Sequence, residues 1–257
     1  MSELELHAVS ISYGSSRVVE NVTETVASGE WLGLIGPNGA GKSTLLRAVA
    51  GLIHHEGRIE VDGDDVREWG EKERSRRVAY VPQEPLIPND MATEEYVGLG
   101  RWPDLGRFGS RSEHDDEVVD AALELLELGP FRGRLLGELS GGERQRIVIA
   151  RALAQEPDVL LLDESTAALD IGHQQQALEL VAQLRRERHV TVVAAMHDLT
   201  LAGIHGDRLV MLDSGHVVAT GAAQEVLTQD RLAHVYKAAV RVHLDDNGDV
   251  VVVPHRH

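Results

Sequence analysis

The sequence predicts an α/β fold: buried parallel strands form the core, short strands precede them, and a helical segment is inserted between them. Three observations carry that prediction. Val159-Leu160-Leu161-Leu162 and Val190-Thr191-Val192-Val193-Ala194-Ala195 are near-continuous apolar runs, the pattern of strands covered on both faces. A third run, Trp31-Leu32-Gly33-Leu34-Ile35, leads through a glycine-rich loop into the helical Leu45-Leu46-Arg47-Ala48-Val49-Ala50. From Glu84 to about Gln155 the character changes, first to loops punctuated by Pro and Gly and then to helical periodicity.

Composition sets the outer bounds. The 257 residues suffice for one large domain or one domain with an inserted subdomain. Lys and Arg total 25 against 42 Asp and Glu, a formal charge of -17. That field repels phosphate backbones and anionic lipid, so no nucleic-acid partner is expected. Solubility and adaptation to a salty cytoplasm both account for the acidity. The chain has no cysteine, which excludes a disulfide framework and thiolate metal sites. Its start, Met1-Ser2-Glu3-Leu4-Glu5, lacks the basic-then-apolar pattern of a secretion signal. No apolar run approaches the roughly 18 residues that span a bilayer. The expectation is a cytosolic protein that meets a membrane only through a partner.

Taken in order, residues 4–9, 18–19 and 22–26 read as short strands, and Ser28-Gly29-Glu30 turns the chain into the strand at 31–35. Tyr13 offers either a face for stacking on a purine base or an ordinary buried sheet-edge tyrosine. The loop that follows is Gly36, Pro37, Asn38, Gly39, Ala40, Gly41, Lys42, Ser43 and Thr44. Four residues between the first glycine and a Gly-Lys-Ser spell a phosphate-binding P-loop. Backbone N–H groups must wrap a phosphate chain at close range, and glycine leaves room and reaches the required dihedrals. The next helix presents its unpaired donors and positive dipole end to the same phosphates. Lys42 supplies a full charge to the β- and γ-phosphates, and the Ser43 hydroxyl is placed to ligate Mg²⁺. The chain therefore binds a nucleoside triphosphate.

Beyond the loop, 57–63 reads as a strand closed by an Asp-Gly turn, and 77–81 as another ended by Pro82. Gln83 follows at a strand's C-terminal end, where open α/β sheets place ligand groups, although a lone Gln there is more often a solvated loop residue. Within the insertion, Val118, Val119, Ala122, Leu123, Leu125 and Leu126 keep helical spacing. Leu139-Ser140-Gly141-Gly142-Glu143 then opens a further helix through Ile147, Ala150 and Leu153. Ser140 as cap with Glu143 three residues on gives a capping box. Both a second anion-binding helix start and an ordinary capped one fit.

At the end of the strand 159–162 stand Asp163 and Glu164. Adjacent carboxylates there suit Mg²⁺ and water at a nucleotide site, and the metal relieves their repulsion. Ala167-Ala168-Leu169-Asp170 leads into a polar helix at 174–188, and the strand 190–195 ends in Met196-His197-Asp198. His197 at a strand terminus points to a functional role. Strands at 208–212 and 216–219 join through Ser214-Gly215, short helices follow near 222–227 and 230–236, and 240–244 with 249–253 flank Asn247-Gly248 as a hairpin. His255 and His257 read as a frayed terminus and not as metal ligands.

These motifs, in this order, resemble the ATP-binding cassette subunit of ABC transporters over essentially the whole chain: Tyr13 as aromatic loop, 36–44 as Walker A, Gln83, Leu-Ser-Gly-Gly-Glu at 139–143, 159–163 as Walker B with Glu164, Asp170 and His197. The resemblance implies a P-loop NTPase (RecA-like) core with an antiparallel β subdomain and an inserted α-helical subdomain. Residues 1–84 and 156–257 would form the nucleotide-binding core, and 85–155 the helical insertion. It also implies ATP and Mg²⁺ as cofactors. Tyr13 would stack on adenine, Asp163 and Ser43 would hold Mg²⁺, and Glu164 would polarise the attacking water. Gln83 would sense the metal and the membrane partner, and His197 would contact the γ-phosphate. Ser140, Gly141 and Gly142 would close over the ATP of a second copy, with Asp170 linking the two sites of a head-to-tail homodimer.

Met196-His197-Asp198-Leu199-Thr200-Leu201-Ala202, residues 168–174, and Val81-Pro82-Gln83 leading to Gly98-Leu99-Gly100-Arg101 are similar to importers of iron-siderophore, haem and cobalamin complexes. The implied partners are membrane-spanning permease subunits, and a substrate-binding protein indirectly, at the cytoplasmic face of the cell membrane. Residues 83–111, with Trp102 and Phe108 as anchors, would form the docking surface. Importers of zinc, manganese or amino acids are the alternative. A DNA-repair or translation ATPase is disfavoured by the single cassette, the lack of a heptad run and the charge of -17. One residue departs from the family pattern: Ser165 follows Glu164 where Pro or Thr is usual. Both carboxylates remain, so catalysis is expected to survive.

Overall fold

The computed structural model describes residues 2–103, 111–165 and 171–255. The first strands, β1 (Leu4–Tyr13) and β2 (Ser16–Val26), precede β3 (Trp31–Ile35) and α1 (Lys42–Val49). Next come β4 (Glu56–Val61), β5 (Asp64–Asp65), α2 (Glu71–Arg77) and β6 (Val78–Val81). The segment between β6 and β7 carries α3 (Thr93–Gly98), α4 (Glu113–Leu125) and α5 (Gly141–Ala154). Then follow β7 (Val159–Asp163), α6 (Ile171–Arg188), β8 (Thr191–Ala195) and α7 (Leu199–His205). The remainder is β9 (Arg208–Asp213), β10 (His216–Gly221), α8 (Ala223–Val226), α9 (Gln229–Tyr236) and the hairpin β11 (Val240–Leu244) and β12 (Val250–Pro254). Among the described residues no helix is long and apolar enough to cross a membrane.

The central sheet has the order β10-β9-β3-β8-β7-β6, parallel except for β10. Its strands explain their own composition. Trp31 and Ile35 of β3, Leu160 and Leu162 of β7, and Val192 and Ala194 of β8 enter one core; Leu32, Leu34, Val159, Leu161, Val193 and Ala195 enter the other. Alternate side chains thus bury on opposite faces, and an unbroken apolar run is the result. One face is covered by the helices of the insertion, α6 and the C-terminal elements. On the other face α1 lies between the central sheet and an antiparallel sheet of order β2-β1-β4-β5.

The strand read at 4–9 runs on to Tyr13. A β-bulge makes the difference: Ala8 has φ 50, the register with β2 shifts between Leu6 and Val9, and β1 resumes pairing through Tyr13↔Ser16. Gly57 on the facing strand permits it, since a Cβ there would lie 2.4 Å from the Ala8 carbonyl oxygen. Arginines tie the two sheets together. Arg77 pairs with Asp62 (2.7 Å), Asp64 (3.1 Å) and Asp158 (3.0 Å), while Arg208 holds Glu24 and Glu30. The expected frayed terminus fails at His255: its N–H donates to the Ala239 carbonyl (2.9 Å) and its ring meets Arg241 (2.9 Å). His257 lies outside the described residues.

His55, between α1 and β4, is 3 % exposed and neither ring nitrogen has a hydrogen-bond partner. Burial first, then the nearby Arg67 charge, holds its pKa below the usual 6.5. Above 6.5 the ring is neutral in both states, so nothing is lost. Below it the unfolded chain takes up a proton that the folded chain refuses, and stability falls with pH. At its steepest this costs about 1.4 kcal/mol per pH unit. Urea unfolding at pH 7, 6 and 5 is expected to show a shallower acid-side decline in His55→Leu than in the parent. Equal slopes would mean that His55 titrates alike in both states.

Candidate active site

The C-terminal ends of β3, β8, β7 and β6 lie side by side; β3 leads into the phosphate loop, β8 into His197 and β6 into Gln83, while β7 ends in the carboxylates Asp163 and Glu164. Such strand ends are where open α/β sheets bind ligands. After β3 the chain makes the 36–41 loop. Two of its glycines are required by close approach: a Cβ on Gly36 (φ +147) would lie 2.1 Å from the Leu212 carbonyl oxygen, and one on Gly41 (φ +106) 3.0 Å from that of Val18. Gly41 then serves as N-cap of α1 without a side-chain cap, leaving that helix start open to a ligand. One cavity of about 330 Å³ is lined by residues 38–44 of this loop and helix, Val18, Gln83, Glu164 and His197.

Lys42 is 4 % exposed. Its ammonium donates to the carbonyls of Gly36 (2.9 Å) and Pro37 (3.3 Å) and stands 3.5 Å from Glu164 Oε1. The other Glu164 oxygen is 2.6 Å from His197 Nε2. Glu164 itself holds a left-handed backbone (φ 49), with its N–H donating to the Ala195 carbonyl (3.1 Å). A non-glycine residue in that conformation is strained, a state that clusters at active sites. It turns the carboxylate out of the line of β7 and over the loop. Asp163, the last residue of β7, is fully buried. The Ser43 hydroxyl donates to its Oδ1 (2.7 Å) and the Tyr80 hydroxyl to its Oδ2 (2.7 Å). Ser43 and Asp163 form a pair of hard oxygen donors beside the cavity, a set that fits Mg²⁺.

Among the other residues read from sequence, Tyr13 is 49 % exposed at the end of β1, which removes the buried-edge reading and leaves its ring accessible. Ser140, Gly141 and Gly142 lie at the start of α5 and do not line this cavity. Their capping box forms: Glu143 N–H donates to Ser140 Oγ (3.3 Å), and Ser140 N–H to the Glu143 carboxylate (2.7 Å). The Ser140 contacts hold the Glu143 carboxyl below its ordinary range. Ser165 is buried. Asp170 and Phe108 lie outside the described residues. Trp102 and Leu86 are 69 % and 96 % exposed. Sequence reasoning missed Val18 and Tyr80. Val18 reaches the loop only because the antiparallel sheet folds over α1, whereas Tyr80, on the strand beside β7, carried a readable signal as a polar tip in an apolar run.

The ABC transporter family pattern matches residues 19–167, more than half of the chain. The cobalamin import ATP-binding protein BtuD of Halobacterium salinarum is 42 % identical over 253 residues, covering 98 % of this chain; the chain spans 63 % of that relative's length. The hemin import ATP-binding protein HmuV of Nocardia farcinica is 43 % identical, covering 94 % of this chain and 83 % of its own. The ferric enterobactin transport ATP-binding protein FepC of Escherichia coli is 36 % identical, covering 99 % and 94 %. Among solved structures, an inward-facing metal-chelate type ABC transporter superposes with a TM-score of 0.85 at 27 % identity, covering 100 % of this chain and 98 % of the other. The dimeric ABC transporter cassette MJ0796 gives 0.77 at 28 % identity, covering 86 % and 98 %.

Proposed function

The chain belongs to the ABC transporter family, and from that premise we propose that it is the ATP-hydrolysing subunit of an importer, driving uptake of a metal chelate through a separate membrane permease. The observation that carries this reading is the convergence of the phosphate loop, Gln83, Glu164 and His197 on one cavity. The cargo class, an iron-siderophore, haem or cobalamin complex, rests on the relatives that serve cobalamin, haemin and ferric enterobactin.

In this reading the backbone N–H groups of 38–44 and the open start of α1 seat the phosphates of ATP. Lys42 exchanges the Gly36 and Pro37 carbonyls for the β- and γ-phosphates, and Tyr13 stacks on the adenine. Ser43 and Asp163 would hold Mg²⁺, which would supply positive charge to the triphosphate. Gln83, at the end of β6 and in the cavity lining, would sense the metal and report to the permease. Glu164 orients the attacking water and takes its proton, while His197 donates to the γ-phosphate. Ser140 is exposed and lies away from the chain's own cavity. With Gly141, Gly142 and Asp170 it serves the ATP of a second copy, so a head-to-tail homodimer completes two sites at once. Exposed Leu86 and Trp102 offer anchors to the permease. The protein then works at the cytoplasmic face of the membrane, and a substrate-binding protein engages it only through that permease.

Lys42→Ala is expected to weaken ATP binding by about 1.5–3 kcal/mol, the worth of a charge-assisted contact. Isothermal titration measures it, and unchanged affinity would remove Lys42 from the phosphate site. The whole reading is tested by purifying the intact protein from native membranes and identifying the integral subunit that comes with it. A many-helix permease of the metal-chelate or cobalamin type is expected. A permease for zinc, manganese or amino acids would keep the ATPase and discard the cargo. Absence of any membrane partner would overturn the importer assignment.

A further inference from the structure

We propose that Tyr80 is a positioning residue for the metal-binding carboxylate Asp163, fixing which of its oxygens faces the metal. The proposal rests on the reading above, that Ser43 and Asp163 hold Mg²⁺. Tyr80 sits on β6 in register with Leu161 of β7. Its ring packs into the core on the α1 side of the sheet, among Val78, Val159 and Leu161. A hydroxyl in that apolar layer needs a partner, and it has two. It donates to Asp163 Oδ2 at 2.7 Å and accepts from Arg47 Nε, on the outer face of α1, at 3.4 Å. Tyr80 does not line the nucleotide cavity, so it acts through Asp163 and not on ATP.

Asp163 is fully buried, and without a second donor its carboxylate is free to turn about its last torsion. With the phenol on Oδ2, Oδ1 is left to the Ser43 hydroxyl, and Ser43 lines the cavity. A donor of this kind, behind a ligating carboxylate, sets the ligand's direction, and its loss typically lowers metal affinity 10- to 100-fold.

The test measures binding of trinitrophenyl-ATP to the full chain in excess Mg²⁺ and in EDTA, and takes the ratio of the two affinities. Tyr80→Phe keeps the ring and removes only the hydroxyl. We expect the ratio to fall about tenfold or more while affinity in EDTA stays at the parental value. A ratio within about twofold of the parent overturns the proposal, as does an equal loss of affinity in both buffers, which would mark a structural role. Asp163→Asn, run alongside, separates the two levels of argument. If it abolishes the Mg²⁺ response while Tyr80→Phe does not touch it, the proposal for Tyr80 alone falls. If Asp163→Asn keeps the full response, the metal reading falls and takes this one with it.

Discussion

Replacing Glu164 by glutamine lowers steady-state ATP turnover by about 10²–10⁴-fold, the usual contribution of a positioned general base, and leaves ATP binding at least as tight as in the parent. Both halves follow from the same contacts. The Glu164 side chain is 7 % exposed, with one oxygen 3.5 Å from the Lys42 ammonium and the other 2.6 Å from His197. Before ATP arrives, the carboxylate therefore competes with the phosphates for Lys42. Glutamine withdraws that competition and its repulsion of the γ-phosphate, but has no basic oxygen with which to take a proton from water. The variant binds and does not turn over, so the closed homodimer should accumulate. Phosphate release and size-exclusion chromatography in MgATP read the two consequences separately. Turnover within tenfold of the parent would remove Glu164 as the base. Lost turnover with no accumulated dimer would keep the base and discard the sandwich.

The parts of this architecture that were legible in the chain are those whose physics is local. The runs at 159–162 and 190–195 declare strands buried on both faces, and each face of β7 and β8 does enter a different core. Gly36 and Gly41 announce two loop positions where a Cβ would crowd the neighbouring backbone, and Ser140 with Glu143 announces its capping box. Other features depend on contacts between distant segments. α2 buries no residue, so it has no apolar stripe to betray it. The length of β1 depends on a bulge opposite Gly57, and no alternation pattern continues through such a bulge. The left-handed turn at Glu164 is fixed by a hydrogen bond to β8. Tyr80 meets Asp163 only because β6 and β7 pair in a particular register. Spacing along the chain names the groups at each strand end, and sheet order decides which of them touch.

Arg101→Ala costs about 3–5 kcal/mol of folding stability, the range for removing one partner of a buried ion pair. Arg101 is 5 % exposed, just after α3, and Asp115 at the start of α4 is 6 % exposed. The guanidinium donates to Asp115 Oδ1 (2.9 Å), to the Ala154 carbonyl at the end of α5 (2.9 Å) and to the Glu156 carboxylate (3.0 Å). One side chain thus joins three helices, and its loss removes the charge partner of a buried carboxylate and a donor to a helix-terminal carbonyl. Asp115 also accepts from the Ser112 N–H (2.8 Å) and hydroxyl (2.7 Å). Those Ser112 contacts first, and Arg101 after them, hold its pKa at about 2 against an ordinary 3.8. The stability linked to Asp115 is therefore complete above pH 4 and disappears as pH falls toward 2. Because the Ser112 contacts are the largest causes of that shift, Arg101→Ala should lower stability at pH 7 more than it blunts the acid transition. Urea unfolding at pH 7 and pH 3 measures both. The phosphate loop lies in a different part of the molecule, so ATP affinity of the folded variant should match the parent. A loss below about 1 kcal/mol, the level of an exposed ion pair, would show that the three helices hold together without the clamp.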